Sequence, residues 1–233
     1  MKREITLICI PYAGAGFNAY GKLERYFSAR VAPLTLESPG RGMRMVEDLI
    51  DDIGALVEDY FSRLPALYPG GYALYGHSLG AILACLLAKR IESAGLPAPL
   101  RLIVSGMNSP SRQRVERKRS ELPREDLIAA LKRYGGTPDE VFQDEGLFDF
   151  IEPILRADFR TLDNFNYTPN APIKTPISVA YGTGDKNTEW ASLERWKDET
   201  ASGCDFLEFD GGHFFIFERA REFAAYVESK LGL

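Results

Sequence analysis

Basic residues are in short supply: 28 Lys and Arg stand against 33 Asp and Glu, for a net charge of −5. Nucleic-acid binding rests on clustered cations in excess, so nucleic acid is not expected as the main partner. Long hydrophobic runs are missing as well. The longest, Ala81 to Ala88, falls far below the ~20 residues that span a bilayer, so no membrane helix is expected. Only three cysteines are present, Cys9, Cys85 and Cys204, and their spacing suits neither a metal site nor a disulfide framework. They are expected as small core residues of a protein in the reducing cytoplasm. Histidine is scarcer still, with two, His77 and His213. The chain starts with basic residues and an apolar run, but Glu4 interrupts it and Pro11 stops it too early for a signal peptide. Neither internal repeats nor low-complexity tracts are found.

What is there suits one folded domain. The 233 residues include 45% hydrophobic and 12% aromatic ones, ample for a buried core. Strands are predicted at Ile5–Ile10, Leu34–Glu37, Tyr72–Tyr75, Leu100–Ser105, Ile177–Tyr181 and Phe206–Phe209, as short apolar runs without strict alternation. Helical periodicity over Glu47–Leu64, Leu79–Ile91 and Ala220–Leu231 separates them. Alternating strand and helix implies a mostly parallel central sheet flanked by helices. Between Met107 and Pro172 the alternation breaks into helical stretches, Arg124–Tyr134 and Leu147–Phe165, with Pro123 in a first turn and Gly135-Gly136 as a stop. A core of residues 1–106 and 173–233 with a helical lid insertion over 107–172 is therefore expected.

One short stretch carries chemistry. Gly76-His77-Ser78-Leu79-Gly80 matches G-x-S-x-G between a strand and a helix, the nucleophile elbow of the α/β-hydrolase fold. Such a turn lifts the Ser78 hydroxyl out of the sheet and leaves the Leu79 amide free to bind an oxyanion. A serine hydroxyl needs a base. His77, inside the elbow, is expected to point away from substrate, which leaves His213 in a glycine-rich loop after the last strand. The acid lies between them in this fold. Asp185, after the strand ending at Tyr181, is preferred on strand-end position, and Asp210, three residues before His213, is its rival. A second oxyanion donor is expected from the loop Pro11-Tyr12-Ala13-Gly14-Ala15-Gly16, at Ala13. Gly14, Gly16 and Gly21 do not give the G-x-G-x-x-G spacing of a dinucleotide site.

Beyond the elbow, PYAGAG at 11–16, ESPGRGMR at 37–44, YGHSLGA at 75–81, RYGGTP at 133–138, LRADF at 155–159 and GGHFFI at 211–216 resemble the stand-alone type II thioesterases of polyketide and nonribosomal peptide biosynthesis. The resemblance implies Ser78, His213 and Asp185 as a catalytic triad, the Ala13 and Leu79 amides as oxyanion hole, and a mobile lid. It implies hydrolysis of acyl thioesters on the phosphopantetheine arm of acyl or peptidyl carrier proteins, removing stalled units or releasing a product. No metal and no bound cofactor are called for, since phosphopantetheine belongs to the substrate, and a monomer is expected. Ala15 stands where the family usually has glycine, and Lys186-Asn187-Thr188 departs from a more apolar step. A general carboxylesterase or acyl-CoA thioesterase would use the same machinery, and a hydrolase-fold protein that only binds would have no need of it. The apolar residues Phe148, Phe150, Ile151, Ile154, Leu155, Phe159, Leu162 and Phe165 read either as an acyl chamber or as helix packing. The basic run Arg112–Arg119 reads as a carrier or phosphate contact, or as a solvated segment.

Overall fold

The computed structural model describes residues 5–64, 71–112 and 118–233. Six strands, β1 (Ile5–Ile10), β2 (Val31–Thr35), β3 (Tyr72–His77), β4 (Leu102–Ser105), β5 (Ile177–Gly182) and β6 (Cys204–Phe209), form one sheet in the order β2-β1-β3-β4-β5-β6. Every pairing is parallel. Nine α-helices occur among the described residues: α1 (Gly21–Glu24), α2 (Ile53–Ser62), α3 (Leu79–Ser93), α4 (Arg124–Tyr134), α5 (Asp139–Gln143), α6 (Glu145–Asp163), α7 (Trp190–Leu193), α8 (Phe215–Glu218) and α9 (Ala220–Lys230).

The continuous apolar runs follow from burial on both faces. In β1, Ile8 and Ile10 join a core with Leu56, Tyr60 and the α3 residues Ile82, Leu83 and Leu87, while Leu7 and Cys9 join a core on the other face with Phe215, Phe223 and Val227. α3, apolar on nearly every side, is buried along most of its length. A third cluster, separate from the sheet cores, gathers Leu122, Leu127, Leu131, Phe148, Leu155 and Phe159 from α4, α6 and the turn before α4. It holds together the helices that lie between β4 and β5.

Element ends differ from the sequence expectation for local reasons. Periodicity extends the second helix back to Glu47, yet α2 starts at Ile53 because the Asp52 side chain accepts the Ala55 amide at 2.8 Å and caps it there. The second strand is shifted toward the N-terminus: Val31 to Thr35 pair with β1, and Glu37 leaves the sheet to accept the Phe17 and Met43 amides at 2.9 and 2.8 Å. Pro123 is the N-cap of α4, one position before its first turn, and Gly135 ends the helix at φ 74°. α6 begins at Glu145, capped by Asp144, whose carboxylate accepts the Leu147 amide at 3.0 Å.

Candidate active site

β3 runs directly into α3 through Ser78, the one non-glycine residue with positive φ (54°) among the described residues. Such a conformation costs on the order of 1–3 kcal/mol and persists only where its surroundings impose it. The two elbow glycines are part of that surrounding. A Cβ on Gly76 would stand 2.0 Å from the Gly80 carbonyl oxygen, and one on Gly80 would stand 2.2 Å from that of Ile10. Only glycine lets β1, β3 and the first turn of α3 approach so closely.

Three side chains from three strand ends meet here. Ser78 Oγ lies 3.1 Å from His213 Nε2, and His213 Nδ1 lies 2.8 Å from Asp185 Oδ2. Asp185 is buried; burial works to raise its pKa, but the bonds to His213 and Asn187 outweigh it and hold the carboxyl below its ordinary value. An ionised carboxylate only accepts, so Nδ1 of His213 carries the proton and Nε2 is left as the acceptor facing the Ser78 hydroxyl. The rival acid is elsewhere: the Asp210 carboxylate is exposed and pairs with Arg219. Asp185, not Asp210, meets His213.

Asn187, which the sequence presents only as a departure, completes the acid's setting. Its backbone and side-chain N–H groups donate to Asp185 Oδ1 at 2.9 and 2.8 Å, leaving Oδ2 for the histidine. His77 is fully buried, with Nδ1 2.9 Å from Ser105 Oγ. Burial, reinforced by neighbouring His213, pushes its pKa well below the ordinary value, so it stays neutral. Its ring packs 4.9 Å from that of His213, whose other flanks are Tyr134 at 5.4 Å and Phe214 at 5.2 Å. The ring His77 presents to His213 is a floor for it, a role no local pattern announced.

The amides of Ala13 and Leu79 have no acceptor among the described residues. The loop that carries Ala13 is held from outside the sheet. Asp158 of α6 accepts the Gly14 amide at 2.7 Å and forms a bidentate pair with Arg41 at 2.6 and 2.7 Å, and Arg41 also donates to the Ala15 carbonyl at 3.3 Å. Arg41 and Asp158 lie within the segments ESPGRGMR and LRADF, and their partnership is the physical content of those motifs.

Ser78 and His213 border a cavity of about 730 Å³ whose walls also include Asn108, Arg112, Arg119, Lys186 and Asn187. None of the eight apolar residues from Phe148 to Phe165 lines it. Phe148, Leu155 and Phe159 fill the third core and Leu162 belongs to the α3 side of the sheet, so these members of the stripe serve helix packing, while Phe150 is exposed. Of the basic run, residues 113–117 lie outside the described residues, while Arg112 and Arg119 face the cavity. Among the described residues no group of His, Cys, Asp and Glu is arranged to hold a metal ion, and no helix is long and apolar enough to cross a membrane.

An all-parallel sheet with a strained serine at the β3–α3 elbow defines a serine-type hydrolase of the α/β-hydrolase fold. The thioesterase-domain family model matches residues 5–231, and the chain belongs to that family. It is 30% identical over 230 residues to the gramicidin S biosynthesis protein GrsT of Aneurinibacillus migulanus, covering 99% of this chain and 90% of that one. Among solved structures it is similar to RedJ, a thioesterase from the prodiginine biosynthetic pathway in Streptomyces coelicolor (TM-score 0.91, 28% identity, 97% of this chain and 90% of that chain). The type II thioesterase BorB from the borrelidin biosynthetic cluster is equally close in fold (TM-score 0.90, 32% identity, 99% and 94%). The chain is a type II thioesterase.

Proposed function

We propose that this thioesterase hydrolyses acyl thioesters borne on the phosphopantetheine arm of carrier proteins in nonribosomal peptide and polyketide synthesis, clearing stalled or aberrant acyl groups in the cytoplasm. The observation that carries the chemistry is the continuous relay from Ser78 Oγ through His213 to Asp185. The substrate class is supported by the relatives, a gramicidin S biosynthesis protein and thioesterases of prodiginine and borrelidin biosynthesis.

The proposed reaction has two halves. His213 Nε2 takes the Ser78 proton as Oγ bonds to the thioester carbonyl carbon, and the oxyanion that forms is received by the Ala13 and Leu79 amides. The carbon–sulfur bond then breaks, the sulfur takes the proton from His213, and an acyl ester remains on Ser78. In the second half a water gives its proton to His213 as its oxygen attacks the acyl carbon. Ser78 leaves with that proton and the free acid departs. Asp185 holds the His213 ring in the tautomer both halves need and stabilises its cation. Residues 107–172 act as a lid over this site, set on the core of 1–106 and 173–233.

The test offers one acyl group on a phosphopantetheinylated carrier protein, on coenzyme A and as an oxygen ester, with Ser78→Ala as blank. A higher kcat/KM for the carrier-bound form, lost in the variant, is expected. Equal or higher rates on the free substrates would replace the carrier-directed reading by a general esterase or acyl-CoA hydrolase.

A further inference from the structure

The cavity beside Ser78 is ill suited to an apolar chain. Arg112, Arg119 and Lys186 face it, against a single carboxylate, Glu189. Glu189 is already engaged, accepting the Ser192 hydroxyl at 2.8 Å. None of the three cations has a carboxylate partner among the described residues, whereas Arg41, Arg44, Lys89, Arg101, Arg124 and Arg156 all do.

Two of the cations are tied to the reacting groups. Arg119 is half-buried and stacks its guanidinium 5.5 Å over the Tyr134 ring, which packs 5.4 Å from the ring of His213. Lys186 sits between Asp185 and Asn187, on the turn whose amide holds the Asp185 carboxylate at 2.9 Å. A concave wall that gathers one sign of charge concentrates its field on whatever enters. Guanidinium and ammonium groups meet carboxylate or phosphate with bonds roughly twice as strong as neutral ones.

We infer that this chamber is an anion site for the thioester substrate, in which Arg119 and Lys186, with Arg112 at the rim, bind a carboxylate or phosphate group while the carbonyl carbon lies at Ser78. The inference rests on the thioesterase reading and names the substrate chemistry of the same site. Such an anion has two sources: a carboxylate on the acyl group, or the phosphate of the pantetheine arm.

The experiment uses butanoyl and succinyl thioesters, each on N-acetylcysteamine, which has no phosphate, and on phosphopantetheine. Wild type is compared with the double variant Arg119→Gln/Lys186→Gln, whose folding is checked by its melting curve. Any general disturbance of His213 through Tyr134 cancels in ratios of kcat/KM between substrates. The site predicts that the double variant loses about tenfold or more in at least one of two ratios. A fall in succinyl over butanoyl on N-acetylcysteamine assigns the site to an acyl carboxylate. A fall in phosphopantetheine over N-acetylcysteamine, with butanoyl on both, assigns it to the phosphate. Both ratios unchanged would overturn the anion site while leaving the thioesterase intact. Failure of wild type to outpace Ser78→Ala on any of the four substrates would instead remove the thioesterase reading, and the anion site with it.

Discussion

Charge is handled in opposite ways on the two sides of Ser78. Toward α6, Arg41 and Asp158 are 4% and 1% exposed and face each other in a bidentate pair, with Asp158 also holding the Gly14 amide. Toward the cavity, Arg112, Arg119 and Lys186 look into open space with no carboxylate of the described chain for a partner. Burial makes the difference. Charges taken out of water must be paired, and what the pair then supplies is geometry, here the position of the loop that carries Ala13. Cations at a cavity wall stay solvated until a ligand arrives, so they remain available for recognition.

Removing the hydroxyl that divides the two sides has the largest expected effect: Ser78→Ala should lower kcat/KM by on the order of a thousandfold or more, read with any thioester that wild type cleaves. Next comes the buried pair. Asp158→Ala strands a buried guanidinium and should cost about 3–5 kcal/mol in a denaturant titration. The double variant Arg41→Met/Asp158→Leu, apolar on both sides, should recover most of that stability and yet stay up to about a hundredfold down in kcat, because the Gly14 amide has lost its acceptor and the loop its anchor. Recovery of stability and kcat together would mean that the pair has no hold on the loop that carries Ala13, and the contrast between the two sides would lose its meaning.

How much of this was legible follows from where the information sits along the chain. The elbow is five consecutive residues between a strand and a helix, and its glycines are demanded by contacts with the same two elements and β1. Asp185 was readable because parallel strands deliver their ends to one edge, so the residue after β5 had to arrive near the residue after β3. Arg41 and Asp158 are 117 positions apart, and no periodicity or turn chemistry connects them. Only their resemblance to family motifs marked the segments, without a reason. Asn187 was hidden differently: its role is to hold one carboxylate oxygen, which depends on the path of a turn that sequence alone leaves open. The apolar face of α6 read mostly as an ordinary core face with a chamber as the alternative, and α4, whose Leu127 and Leu131 pack against it in the third core, bears out the packing.

Asp185 offers a finer test of buried pairing. Its carboxyl is held below its ordinary 3.8 by His213 and Asn187 despite burial. A carboxylate with a lowered folded pKa stabilises the fold above its unfolded pKa, and the contribution is lost as pH falls through the folded value. The difference in unfolding free energy between wild type and Asp185→Asn should therefore narrow as pH falls below about 4. Urea titrations over this range check it. A difference that stayed constant down to about pH 2 would mean that the carboxylate is not held in its charged form by these partners.

The smallest effect is expected where a charge pair is neither buried nor facing the cavity. Asp210 and Arg219 form an ion pair with the aspartate side chain 81% exposed, three residues from His213 in the chain yet on the solvent side of the loop. Water screens such a pair, so Asp210→Asn should change stability by less than about 1 kcal/mol. With Asp185 as the partner of His213, kcat should stay within about twofold of wild type, against a loss on the order of 10⁴ for a triad aspartate changed to Asn. A large loss of kcat in Asp210→Asn would make proximity in sequence, rather than burial and contact, the guide to which acid serves the histidine. It would also undo the rule drawn from the two sides of Ser78, that a charge acts through what it touches and how dry that contact is.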